Sequence, residues 1–330
     1  MILAGDIGGT KTVLALFEPE GERLRPVRRS TFPSRSSATF EAILDEFLAP
    51  TPGGAPATDI ETACFGVAGP VIDGQCRTTN LPWNLVETDL ARHLRVGRVV
   101  LLNDLEAAAY GMLFLGEAEL TVLNPGASPP RRGNVAVIAA GTGLGEAFLH
   151  WDGGAYHPIA SEGGHCDFAP RGPLEDALLV YLRGRCGGHV SYERILSGPG
   201  FHHIYSFLLD RGEHRESAAV AEAIAAGDPN AAITQFGLDG SDPVCVATLD
   251  LFASIYGAEA GNLALKCVAR SVFVGGGIAP RILPVLQRGG FLASFLAKGR
   301  FESLMRDVGV SVALNPDAPL LGAARYATRG

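Results

Sequence analysis

Apolar positions near the start of the chain fall in two short runs, Ile2–Ala4 and Val13–Phe17, separated by Gly5-Asp-Ile-Gly-Gly-Thr-Lys-Thr12. Pro19 breaks the second run too soon for a helix, so the pattern predicts strand, glycine turn, strand. Walker and Rossmann loops need strand, glycine loop, helix, and neither G-x-x-x-x-G-K nor G-x-G-x-x-G follows the first run. The same arrangement returns further on: Val135-Ala-Val-Ile-Ala139, then Ala140-Gly-Thr-Gly-Leu-Gly145, then Glu146-Ala-Phe-Leu149. This is a structural echo about one domain away, not a repeat of fixed period.

Between and after these units the pattern alternates helix and strand. Helical spacing is read over Thr39–Leu48, Leu105–Leu115, Pro173–Arg183, Glu193–Leu196, Gly200–Arg211, Glu216–Ala226, from Asp228-Pro229 onward, Pro243 to about Val268, Pro280–Gln287 and Leu320–Ala327. Strands are read at Glu61–Val67, Val99–Leu102, Ser271–Val274 and Val310–Leu314. Stretches 50–59 and 124–134, rich in Gly and Pro, are read as loops. Asn103-Asp104 then sits at the carboxyl end of a strand, where open α/β sheets gather ligands.

At about 150 residues per domain, 330 residues suggest two domains. Net charge −8 with 47% hydrophobic residues excludes a disordered chain and argues against a nucleic-acid binder that relies on bulk positive charge. Six cysteines without C-x-x-C spacing read as reduced thiols. The first residues carry no basic n-region and no 18-residue apolar run is read elsewhere, so the expectation is a soluble, cytoplasmic protein without a membrane partner. Glycine is the outlier: 42 of 330 is about 13%, near twice the usual share of roughly 7%.

Those glycines suggest chemistry. Gly5–Thr12 offers backbone N–H groups, a hydroxyl and one carboxylate in a turn without obstructing side chains, which suits a phosphate with Mg²⁺ nearby; a plain hairpin turn is the simpler alternative. Gly141-Thr142-Gly143 repeats that chemistry, and a cleft between two domains could clamp a polyphosphate from both sides. Asn103-Asp104 reads either as the N-cap of the following helix or as a carboxylate base acting on a hydroxyl. Ser161-Glu-Gly-Gly-His165 with Asp167, and Glu193, offer donors and acceptors for a polyhydroxylated ligand. A metal site from His165, Cys166, Cys186 and His189 is the competing reading, and its spacing matches no zinc pattern. Gly275–Gly277 suits either a nucleotide base against bare backbone or a tight strand-to-helix turn. Trp83 reads as a packed aromatic, and Arg131-Arg132 as solvated loop charge.

Together the segments resemble the bacterial-type glucokinases, the zinc-free group of the sugar kinase and actin-like ATPase superfamily. The resemblance is carried by Gly5–Thr12, Phe65-Gly-Val-Ala-Gly-Pro70, Thr79-Asn-Leu-Pro-Trp83, Leu102-Asn-Asp104 and Ala140–Gly145. It is carried further by Ser161–Pro170, Glu193–Gly200, Phe273–Arg281 and Lys298-Gly-Arg-Phe301. Residues from about 210 to 270 match poorly. The resemblance implies an α/β, two-domain actin-like ATPase (ribonuclease H-like) sugar kinase fold with a central cleft: a small domain of residues 1–114 plus 315–330, and a large one of 115–314. It implies phosphate transfer from ATP to the 6-hydroxyl of glucose, with Asp104 as base. It places Asn103, Glu162, His165 and Glu193 on the sugar, and Asp6 orienting Mg²⁺. Gly5, Asp6, Ile7, Gly8, Gly9, Thr10, Gly141, Thr142 and Gly143 would line the phosphates, with Gly276 beside the adenosine. A homodimer is also implied. Glu146, where a small or apolar residue is expected, and Cys166 depart from the pattern. Two rival readings remain: a kinase of another hexose, and a sugar-binding regulator without turnover. Against the regulator, Asp104 is retained and a turn at residue 5 leaves no room before it for a helix-turn-helix.

Overall fold

The computed structural model describes residues 1–21, 23–50, 59–78, 81–128, 131–213 and 215–329. The readings on Gly53-Gly54, Thr79-Asn80 and Pro129-Pro130 lie outside the described residues. By internal contacts the chain divides into two units: Met1–Gly116 with Tyr156–Ala160 and Asn315–Gly330, and Glu117–Ala155 with Ser161–Leu314.

The strands of the first unit's main sheet are β1 (Ile2–Ile7), β2 (Lys11–Glu20), β3 (Arg23–Pro33), β4 (Thr62–Val67) and, after the short hairpin β5 (Gln75–Arg77) and β6 (Asn84–Val86), β7 (Arg98–Asn103). They order as β3-β2-β1-β4-β7. β1 pairs antiparallel with β2 and parallel with β4, which pairs parallel with β7. Alternation along β1 puts Leu3 and Ile7 on one face, packed on Phe40, Ile43, Leu44 and Phe47 of the helix Phe40–Leu48. Ile2 and Ala4 face the other way, onto Ala107, Leu320, Ala323 and Ala324. There the helices Asp104–Met112 and Ala318–Ala327 approach so closely that a methyl at Gly111 or Gly322 would overlap the other's backbone. Trp83 is a packed aromatic: buried, beside Phe40 at 5.9 Å between ring centroids, its Nε1–H donating to the Ser37 carbonyl at 3.3 Å.

The second sheet is built from β8 (Leu120–Asn124), β9 (Val135–Ala140), β10 (Leu144–Trp151), β11 (Tyr156–Ser161), β12 (Ser271–Gly275) and β13 (Gly309–Ala313). Its order is β11-β10-β9-β12-β13-β8. An antiparallel hairpin, β9-β10, is followed by parallel neighbours β12 and β13, so the echo of the two glycine-turn units is an echo of topology. The helix Pro243–Lys266 is apolar all round because it is the core: Phe252 stacks on Phe201 at 4.4 Å, and Tyr256 meets Phe291 edge-on. By length and composition this one helix could cross a membrane, but most of its apolar stretch is buried inside the protein.

Several expected elements differ. Pro280–Gln287 is mostly turn, with helix only over Leu283–Leu286; Pro284 sits in its first turn. Glu193–Leu196 is a single 3₁₀ turn, Tyr192–Arg194. The expected helix Leu105–Leu115 begins one residue earlier and ends at Met112. All six cysteines are unpaired, and among the described residues no three His, Cys, Asp or Glu side chains gather as a metal site, so His165, Cys166, Cys186 and His189 do not form one. Arg131 and Arg132 are exposed, with Arg132 lying over the Trp151 ring at 5.3 Å.

Candidate active site

In the first unit three parallel strands deliver the polar groups to one sheet edge. Asp6 on β1 is in register with Gly66 on β4, and Val67 with Asn103 on β7. Gly66 matters by what it lacks: a Cβ there would lie 2.9 Å from that of Ala107 and 3.6 Å from Asp104 Cα. The start of the Asp104 helix therefore seats directly on β4. Asn103 caps that helix. Its Oδ1 accepts from Leu105 N–H at 3.0 Å, its own N–H donates to Glu106 Oε2 at 3.0 Å, and its Nδ2 donates to the Gly69 carbonyl at 3.0 Å. The capping reading holds for Asn103, and it fixes the backbone from which Asp104 projects.

The turn after β1 closes through Gly8 N–H donating to the Lys11 carbonyl at 3.0 Å. Ser34 braces it from a distance: its hydroxyl donates to the Gly8 carbonyl at 2.7 Å and meets Thr12 Oγ1 at 2.9 Å. Sequence reasoning missed Ser34, which lies 22 residues from Thr12 with no local signal. Asp6 is pushed up to about 6, first by burial and then by the Asp104 carboxylate, with Lys11 opposing. The Asp6 carboxylate beside the glycine turn, with the Asp104 carboxylate near enough to act on it, offers oxygen donors that suit a hard divalent cation, so the residues present fit Mg²⁺.

In the second unit, Gly141–Gly143 ends β9 and Gly275–Gly277 ends its parallel neighbour β12, so both glycine segments share one sheet edge. Gly276 has φ +79°, and a side chain there would also overlap the Ala140 carbonyl; only glycine fits. Gly141, by contrast, has nothing within 4 Å of a Cβ position and leaves open space.

The acid–imidazole group gathers in the same unit. His165 ends a 3₁₀ turn, Gly163–His165, and its ring lies between two carboxylates, Nε2 at 3.9 Å from Glu162 Oε2 and Nδ1 at 3.8 Å from Glu193 Oε1. Glu193 is fixed at its other oxygen, which accepts Leu144 N–H at 3.0 Å. That oxygen occupies the space a side chain at Gly143 would need. The sugar-type cluster and the second phosphate-type turn are thereby built into each other. Three exposed or half-buried groups offering acceptors and an imidazole are suited to a polyol.

Not every glycine of the matched segments is bare for a ligand. A methyl at Gly5 would press on Phe65 and Leu14, 2.7 and 2.8 Å away, and one at Gly164 or Gly200 would overlap backbone of the protein itself. Those positions are glycine for packing.

A family model described as Glucokinase matches residues 3–330. The chain belongs to the glucokinase family. Within it the chain is 43% identical to the glucokinase of Synechocystis sp. over 98% of this chain and 96% of that protein. It is 40% identical to that of Trichormus variabilis over 100% and 99% of the two. The glucokinase of an Antarctic psychrotroph superposes with a TM-score of 0.84 at 31% identity, covering 99% of this chain and 98% of that one. A ROK family glucokinase from Streptomyces griseus, solved in complex with glucose and AMPPNP, gives 0.63 at 25% identity over 100% and 99%. The fold is that of the sugar kinases with an actin-like ATPase core, and the family's members are enzymes.

Proposed function

We propose that this protein phosphorylates D-glucose at the 6-hydroxyl with ATP as donor. The observation that carries the reading is the pairing of Asp104 with Asp6. One carboxylate is set on a capped helix start and the other beside a glycine turn, close enough at a single sheet edge for Asp104 to help raise Asp6. Asp104 accepts the proton of the sugar hydroxyl as that oxygen attacks the γ-phosphorus in line. The bond from γ-phosphorus to the bridging oxygen breaks, and ADP leaves. Asn103, Glu162, His165 and Glu193 hold the other hydroxyls, which orients the attacking oxygen.

The turns within Gly5–Thr10 and Gly141–Gly143 line the phosphates, and Gly276 lets the adenosine lie against the main chain. Mg²⁺, held through Asp6, would neutralise charge on the transferred phosphate. The functional division is into a small domain of residues 1–114 plus 315–330 and a large one of 115–314. The protein works in the cytoplasm as a homodimer, without nucleic-acid or membrane partners, which the resemblance supports and light scattering of the purified protein tests for the dimer. A coupled ADP-release assay across a panel of hexoses, with and without Mg²⁺, tests the reaction. Fastest turnover on glucose supports it, and preference for another hexose or no turnover overturns it.

A further inference from the structure

Glu146 is 1% exposed, and neither of its carboxyl oxygens has a hydrogen-bond partner. It points inward from β10 beneath the turn that carries His165, and its Oε2 fills the space a side chain at Gly163 would take. The titratable and charged groups around it come from the helix Pro243–Lys266: Glu259, Lys266 and Tyr256. Its partner on β9, Ile138, brings none.

Glu259 is wholly buried yet well supplied with donors. Asn262 Nδ2 reaches it at 2.8 Å and Lys266 Nζ at 3.3 Å, and the Tyr192 hydroxyl bonds to it. Asn262 also bonds to the Tyr192 hydroxyl at 3.2 Å, and Lys298 Nζ anchors Asn262 Oδ1 at 2.6 Å. This gives the Lys298-Gly-Arg-Phe301 segment a role: it pins the network from below. Tyr192 immediately precedes Glu193. One buried network therefore reaches the Glu193 segment through Tyr192, and its unpartnered member, Glu146, supports the Gly163–His165 turn.

We propose that Glu146 is a positioning residue for the sugar, and that glucose binds to the form in which its carboxyl carries a proton. Glu259 accepts from Asn262 and Lys266, whereas Glu146 has no donor on either oxygen, so its ionisation would place an unpaired charge under Gly163. The turn must then shift to admit water, and the acceptors at Glu162 and His165 shift with it. Burial, with Glu259 adding to it, pushes Glu146 up to about 7. The proposal rests on the glucokinase reading of the site.

The test is the pH dependence of KM and kcat for glucose in the wild type and in Glu146→Gln, which keeps the shape of the protonated acid. From a midpoint of about 7, wild-type KM should rise about tenfold between pH 6 and pH 8 relative to the variant, with kcat moving little. A protonated-carboxyl infrared band titrating near that pH should be present in the wild type and absent from the variant. Coincident KM profiles, or a band unchanged by the substitution, overturn the proposal. A second pair guards against misfolding: Gly163→Ala should raise KM, and adding Glu146→Ala should lower it part of the way back by freeing the space and leave it independent of pH. Absence of that rescue also counts against the proposal. If wild-type protein releases no ADP with glucose, the reading of the function fails instead, and the infrared band still decides whether Glu146 titrates.

Discussion

The Asp104 carboxylate, on the helix start that follows β7, adds to the burial that raises the cost of ionising Asp6 on β1, two strands away in the same sheet. Asp6 has a folded pKa of about 6 against an ordinary 3.8, so its charged form is disfavoured by folding. Stability from this group is complete below pH 4 and declines as pH rises towards 6. Asp6→Asn should therefore be more stable than the wild type at pH 8 without Mg²⁺, by roughly 1–3 kcal/mol, the difference vanishing near pH 4. Thermal melts at the two pH values check it. Equal melting temperatures at pH 8 would contradict the raised pKa of Asp6.

Protons and Mg²⁺ compete for the same oxygen atoms. The Mg²⁺ concentration needed for half-maximal activity should rise as pH falls below about 6, and the dependence should be flatter in Asp6→Asn. Mg²⁺ titrations at pH 5.5 and 7.5 measure both.

Asn103 holds the first turn of the Asp104 helix by two routes, its cap and its bond to the Gly69 carbonyl. Asn103→Ala should cost about 1–2 kcal/mol in urea unfolding and lower kcat. Asn103→Asp, which retains the capping oxygen, should recover most of the stability.

Two glycines of the nucleotide-side turns should separate folding from binding. Gly276→Ala meets both a positive φ and the Ala140 carbonyl and should destabilise the protein by more than about 1 kcal/mol. Gly141→Ala meets nothing, so its stability should stay within about 0.5 kcal/mol while its KM for ATP rises. An unchanged KM would remove Gly141 from the phosphate site.

What could be read from the chain follows the strength of the local signal. Strands β4, β9 and β12 are apolar runs that end at or close to glycine and are legible to within a residue, whereas β1 extends three residues past its apolar run Ile2–Ala4, through Gly5 and Asp6 to Ile7. β3 was not, because Arg23, Arg25, Arg28 and Arg29 place charge along an edge strand and hide its alternation. The three-residue strands β5 and β6 are too short to show a period. Among site residues, the glycine turns and Asn103-Asp104 announced themselves by position. Glu146 also left a trace: alternation from Leu144 puts it on the core side of β10, where a carboxylate is out of place. Its neighbour Glu259 gave none, because the contact between them is tertiary, and Lys298 stood out only as part of a matched segment whose role the bond to Asn262 supplies.

The central claim is that Asp104 is the base in phosphate transfer from ATP to glucose. Glucose binding by calorimetry and ADP release under saturating substrates, compared between the wild type and Asp104→Asn, test it most directly. Glucose affinity should stay within a few-fold of the wild type and turnover should fall by about 10²–10⁴-fold. Near-normal turnover in the variant would contradict it.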